Sequence, residues 1–235
     1  MNLLLFSDDD RIEAGKIRVH DRRLEHLRSV HRAVVGDTLR IGEIDGLMGE
    51  ARILAISDTA AVLDVTLNQP PPDKLPLSLV LALPRPKMLR RILRNAAEFG
   101  VGELHLINSY RVEKSYWQSP VLEDATVREY LLQGLEQSRD TRLPIMVEHR
   151  RFKVFAEDVL PGMIAGKDAL LAHPGAAQPC PRQTDKTTVL VIGPEGGFIP
   201  YEVSQLQASG CQTVSLGTRI LRVENAIACA LGKLF

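Results

Sequence analysis

Val189-Leu190-Val191-Ile192 runs directly into Gly193-Pro194-Glu195-Gly196-Gly197-Phe198, and Pro200 and Glu202 follow at the opening of a helical stretch. A short, unbroken apolar run of this kind reads as a strand buried on both faces. Proline at a first helical position and an acid in the first turn are helix-start signals. Gly193, Gly196 and Gly197 let backbone approach a ligand closely, in the crevice where open α/β sheets bind ligands. A tight strand-to-helix turn with no ligand would use the same residues. The loop is neither the G-x-G-x-x-G fingerprint nor a P-loop, and no lysine follows it to meet a phosphate. Backbone amides and carbonyls here suit a neutral adenine and ribose better than a phosphate-bearing ligand.

Outward from this strand, similar runs recur at Leu77–Leu83, Leu104–Ile107, Ile145–Val147, Ala169–Ala172 and Thr213–Leu216, separated by helical stretches. Strands alternating with helices predict an α/β domain built on a parallel sheet. Thr213–Leu216 leads into Gly217-Thr218-Arg219-Ile220-Leu221-Arg222, ahead of a helix over about Glu224–Leu234. Ile220 and Leu221 either wall an adenine pocket while Arg222 reaches an anion, or are core residues between surface arginines. Between Lys87 and Phe99, Leu89, Ile92, Leu93, Ala96 and Ala97 form one helical stripe, with Lys87, Arg90, Arg91 and Arg94 opposite. No acid interrupts Pro84–Ala97 and Arg85 stands just ahead, so this face is either a solvated surface or a contact for a phosphate backbone.

Asn68-Gln69-Pro70-Pro71-Pro72-Asp73-Lys74-Leu75-Pro76 is too proline-rich for a helix or a full strand ladder, and predicts a stiff connection over 69–76. Before it, over 1–68, alternating runs at Thr38–Ile41, Glu50–Leu54 and Ala61–Val65 with turn signals at Asp45-Gly46 and Ser57-Asp58 predict a small β-barrel. After it, 77–235 is the α/β domain.

Composition narrows the function. The chain carries 29 basic and 29 acidic residues, so net charge does not announce a nucleic-acid partner and the distribution of charge must decide. Arg11, Lys16, Arg18, Arg22, Arg23, Arg28, Arg32 and Arg40 outnumber the acids among them. The three cysteines, Cys180, Cys211 and Cys229, form no CxxC pair and no metal-ligand spacing, so neither disulfides nor a metal is expected. The N-terminal apolar run is too short for a signal peptide, and no stretch approaches a membrane span, so a cytoplasmic location is expected.

Ile192–Phe198 followed by Leu216–Arg222 resembles the signature of the ribosomal RNA uridine-N3 methyltransferases of the SPOUT class. The likeness extends to Ala82-Leu83-Pro84-Arg85-Pro86-Lys87, Glu98-Phe99-Gly100-Val101 and Glu136-Gln137-Ser138-Arg139. The resemblance implies a knotted (trefoil) methyltransferase domain, an N-terminal PUA-like barrel that binds RNA, a homodimer, and small-subunit (16S) ribosomal RNA as substrate. It implies S-adenosylmethionine bound by Leu171, Ala172, His173, Ile192, Gly193, Pro194, Glu195, Gly196, Gly197, Leu216, Gly217, Ile220, Leu221 and Arg222. Arg22, Arg23, Arg85, Lys87, Arg90, Arg91 and Arg94 are the expected RNA contacts. Two departures stand out: Val223-Glu224-Asn225-Ala226 replaces a Thr-Glu-Thr-Ala-like helix start, and Asn2-Leu3-Leu4 replaces an early arginine.

Methylating N3 of uridine requires loss of its proton, so a base or an anion stabiliser is needed. Arg222 is the expected stabiliser, and Glu195 and Glu224 are both candidate acceptors. A non-catalytic RNA-binding or ribosome-assembly factor on the same fold is the competing reading. A nucleotide-dependent oxidoreductase is opposed by the missing phosphate fingerprint.

Overall fold

The computed structural model describes residues 2–235 and divides into two compact units. The first comprises residues up to Asp73 together with Leu131–Leu143, and the second comprises Lys74–Tyr130 and Pro144–Phe235.

In the first unit, β1 (Leu4–Phe6), β2 (Arg11–Glu13), β3 (Lys16–Val19), β4 (Thr38–Glu43), β5 (Met48–Ile56) and β6 (Ala61–Gln69) form one sheet in the order β1-β4-β5-β6-β3-β2. All pairs are antiparallel except β1 with β4. The predicted turns are present. Asp45 takes a left-handed backbone between β4 and β5, and Ser57 closes the β5–β6 turn by donating from its amide to Ala60 O at 2.9 Å. Alternate residues Ile17 and Val19, Ala51 and Ile53, and Ala61 and Leu63 point into a core shared with Leu4, Phe6 and Ile41. Helix α1 (Arg22–Ser29), capped by the Asp21 side chain accepting from Arg23 N, adds Leu24 and Leu27 to that core.

In the second unit, β7 (Leu75–Ala82), β8 (Val101–Ile107), β9 (Ile145–His149), β10 (Asp168–Ala172), β11 (Thr188–Ile192) and β12 (Gln212–Val214) form a wholly parallel sheet, ordered β12-β10-β11-β7-β8-β9. Every residue of β11 is buried, as its unbroken apolar run requires. Helix α2 (Pro86–Glu98) buries Leu89, Ile92, Leu93, Ala96 and Ala97, and each of its large aliphatic side chains contributes about 1.5–3 kcal/mol by leaving water. Helix α3 (Asp124–Ser138) starts within this unit, but its second half groups with the first. The short α4 (Phe152–Val154), a π-helical turn over Phe155–Val159 and α5 (Leu160–Ile164) lie between β9 and β10. Helix α6 (Pro200–Ala208) follows the glycine loop, and α7 (Val223–Leu234) buries Val223, Ala226, Ile227, Ala230, Leu231 and Leu234.

Two expectations change. The strand predicted over Thr213–Leu216 ends at Val214, because Ser215 pairs only in an isolated bridge with Pro179. Leu131–Leu143, read from sequence as part of the α/β domain, belongs to the first unit. Asn2 and Leu3 donate backbone N–H groups to Glu136 O, and Thr141 Oγ1 donates to Gly46 O at 2.6 Å. No helix of the described residues is long and apolar enough to cross a membrane.

Candidate functional site

The carboxyl ends of β10, β11 and β12 open onto a cavity of about 270 Å³. Ala172, His173, Ile192, Gly193, Pro194, Glu195, Gly197, Leu216, Gly217, Ile220, Leu221 and Arg222, all expected from sequence, line it. Leu171 does not: it is fully buried within β10, paired with Val191. Gly196 does not either, because it turns toward Arg111, whose Nη1 donates to Gly196 O and also lies 3.4 Å from Gly197 O. Pro174, Phe198, Arg219, Val223 and Ala226 complete the wall. Phe198 and Arg219 sit inside the loops already singled out. Val223 and Ala226 had a signal in their helical i, i+3 spacing, which puts them on one face of α7.

Local geometry explains the glycines. A Cβ on Gly193 would lie 3.0 Å from the Phe198 ring, so a side chain there would press on the cavity wall. Gly217 has φ +136°, a conformation that L side chains rarely adopt. The loop is anchored from behind by Glu202, a buried carboxylate that accepts from Ser109 Oγ at 3.2 Å, Tyr110 N at 2.7 Å and Ile199 N at 3.0 Å. His173 donates its backbone N–H to Val214 O at 3.0 Å, tying the ends of β10 and β12 together.

Chemically, the cavity offers aliphatic walls and close backbone. Ile220 is 86% exposed at its rim, an arrangement that leaves apolar surface for a flat ring to cover.

A second cavity, of about 570 Å³, is lined by Arg85, Lys87, Met88, Arg91, Glu195, Arg222 and Glu224. It shares Glu195 and Arg222 with the first. Arg222 precedes α7 as its capping residue and is exposed. Glu195 pairs with Arg85, Oε2 to Nε at 3.4 Å. Glu224 Oε2 is buried and has no hydrogen-bond partner among the described residues. Of the other arginines expected on this face, Arg90 is exposed outside the cavity, and Arg94 stacks its guanidinium 5.2 Å above the Tyr130 ring.

Arg22 and Arg23, expected RNA contacts, both have acidic partners. Arg23 has only 11% of its side chain exposed and donates to Asp10, Asp21 and the Leu5 carbonyl. Burial opposes its charge, but the hydrogen bonds with Asp10 and Asp21 outweigh burial and hold its pKa above the ordinary value. Its donors are therefore spent inside the unit. Arg22 is held by Glu136 through two parallel hydrogen bonds of 2.8 Å, which raise its pKa. The acids that meet these two neighbours, Asp10 and Glu136, are remote from them in sequence.

A model of the RNA methyltransferase domain family matches residues 71–234. Ribosomal RNA small subunit methyltransferase E of Treponema pallidum is 30% identical over 240 residues, covering 98% of this chain and 88% of its own. The protein of the same name from Synechocystis is 29% identical over 246 residues, covering 98% of this chain and 76% of its own. Among solved structures, ribosomal RNA small subunit methyltransferase E from Neisseria gonorrhoeae, bound to S-adenosyl methionine, has the same fold: the TM-score is 0.73 at 20% identity, over 98% of this chain and 96% of that one. With the family model matched over both loops of the cavity and 30% identity carried through 98% of the sequence, the chain belongs to the RNA methyltransferase domain family.

Proposed function

We propose that this chain is an S-adenosylmethionine-dependent methyltransferase that acts on N3 of a uridine in small-subunit ribosomal RNA. The observation that carries this reading is the pairing of two cavities through Glu195 and Arg222, one glycine-lined and apolar, the other basic. The residues of the first suit the cofactor: Ile220, Leu221 and Leu216 offer flat apolar contact for adenine, and the glycine loops offer backbone donors and acceptors. Bound there, S-adenosylmethionine supplies a methyl group on a sulfonium whose sulfur departs as a neutral thioether, so no metal is needed.

The chain's own residues do the rest by position and charge. Arg222, a guanidinium that stays charged, faces both cavities and stabilises the negative charge that develops on the base as its N–H proton leaves. Arg85, Lys87 and Arg91 meet phosphates, with Arg90 extending the same exposed face.

The finer architecture follows from the same reading. The second unit is a trefoil-knotted SPOUT domain, supported by β11 lying between β10 and β7 although it follows β10 in the chain. The first unit is a PUA-like RNA-binding barrel, supported by its largely antiparallel six-stranded sheet. The protein works in the cytoplasm as a homodimer, supported by the family resemblance.

The test is calorimetric titration with S-adenosylmethionine, followed by nucleoside mass spectrometry of small-subunit RNA treated with the protein. Saturable binding together with N3-methyluridine supports the enzyme. RNA binding without cofactor binding favours the non-catalytic assembly factor, the reading that the Val223-Glu224-Asn225 departure keeps in play.

A further inference from the structure

Glu195 and Glu224 both line the basic cavity, but their surroundings differ. Glu195 has Arg85 as a partner at 3.4 Å. Glu224 holds one carboxylate oxygen, Oε2, buried and without a hydrogen-bond partner among the described residues, and the residue lines a cavity that also holds Arg85, Lys87, Arg91 and Arg222. A carboxylate short of donors is a costly arrangement in the free protein and a strong acceptor for the first N–H that reaches it.

We propose that this cavity seats the target nucleobase and that Glu224 reads its ring N–H, an assignment that rests on the methyl-transfer reading above. The ligand class is a pyrimidine with an imide N–H between two carbonyls, unstacked from its strand, with flanking phosphates on Arg85, Lys87 and Arg91. A purely basic cavity would bind any anion, and the added carboxylate makes the site selective. Uracil presents N3–H to it as a donor. Cytosine presents a lone pair at N3, which the carboxylate repels, and N3-methyluracil presents a methyl group. Reading and chemistry then use one contact. When N3 reacts, its proton passes to the Glu224 carboxylate, and the pair that held the proton stays on N3 to form the new bond to carbon. Arg222, shared by both cavities, lies beside the same base.

The experiment measures equilibrium binding of a short fluorescent single-stranded RNA to the whole protein without cofactor. Three versions of the probe carry uracil, cytosine or N3-methyluracil at one position in an adenine background. The parent binds the uracil probe on the order of tenfold more tightly than the other two. Glu224→Gln, which offers both a donor and an acceptor, brings the three probes within about twofold of one another. Glu224→Asp, which keeps the acceptor, retains the preference. Arg91→Ala weakens all three alike. A parent without preference, or a folded Glu224→Gln that keeps the parental preference, overturns the assignment. Titration of the same samples with S-adenosylmethionine separates the two readings: cofactor binding with no base preference rejects the Glu224 assignment alone, and failure to bind cofactor rejects the methyltransferase reading.

Discussion

Arg23 donates from Nη1 and Nη2 to the two carboxylate oxygens of Asp10, at 2.7 and 2.6 Å, with both side chains nearly enclosed. The geometry is the bidentate fork that makes arginine the residue for buried ion pairs. Breaking it leaves a charge in the interior. Asp10→Ala is expected to destabilise the first unit by about 3–5 kcal/mol, read as a lower urea midpoint. Equal midpoints for parent and variant would show that the pair is freely solvated.

RNA binding separates the arginines that are spoken for from those that are not. Arg90→Ala with Arg91→Ala is expected to weaken binding of small-subunit RNA and to lower the salt slope by about 2, one for each lost phosphate contact. Arg23→Met, at matched folded fraction, leaves that slope unchanged. The reverse pattern would return the RNA contact to α1.

Gly193 and Gly196 of the cofactor loop are not equivalent. Gly193→Val presses on Phe198 and the cavity wall, and calorimetry should show at least about a tenfold loss of S-adenosylmethionine affinity, the scale of a misfit of about 1.4 kcal/mol or more. Gly196→Val meets the Arg111 side chain, at 2.9 Å from Cδ, and a flexible side chain can move aside. Its loss of affinity is therefore smaller. Equal losses would mean that Gly196 faces the ligand after all.

Acid weakens the second unit through His105 and His149, whose Nδ1 and Nε2 lie 3.0 Å apart. Burial lowers both imidazoles below the ordinary 6.5; at His105 Glu103 partly opposes the shift and Lys167 adds to it, and at His149 the neighbouring His105 adds to it. Below 6.5 the unfolded chain holds more protons than the folded one, so this contribution is complete above that pH and is lost as pH falls through the lowered folded-state values. The urea midpoint should drop between about pH 7.5 and about pH 5.5, and His105→Gln should flatten the drop. An unchanged slope in the variant would place the acid sensitivity elsewhere.

At high pH the dependence has the opposite sign, with stability falling as pH rises. Burial pushes the Cys211 thiol from 9.0 up to about 11. The unfolded chain releases that proton first, so stability present below pH 9.0 is lost as pH rises toward about 11. Cys211→Ala should remove part of the alkaline fall in the urea midpoint. A fall of the same size in the variant would exclude the thiol as its source.

By itself the sequence determined the local elements and the two loops that close the first cavity. Both periodicities were legible because apolar residues repeat every second position in Ala61–Val65 and on one helical stripe in Leu89–Ala97. Gly193, Gly196 and Gly197 stood out because glycines at a strand's carboxyl end let backbone approach a ligand, and the order of the two motifs carried the family resemblance. What only the tertiary structure decided was which charges meet. Arg22 and Arg90 look alike in sequence, yet one is bound by Glu136 and the other faces solvent. Glu195 and Glu224 were both candidate acceptors in sequence; the fold puts Arg85 beside the first and leaves Oε2 of the second buried without a partner among the described residues. Leu131–Leu143 joined the first unit through hydrogen bonds to Asn2, Leu3 and Gly46, residues far away in the chain. Strand and helix patterns arise from neighbours a few residues apart, so they are written locally. Charge pairing depends on distances of a few ångströms between residues remote in sequence, and only the folded chain sets those.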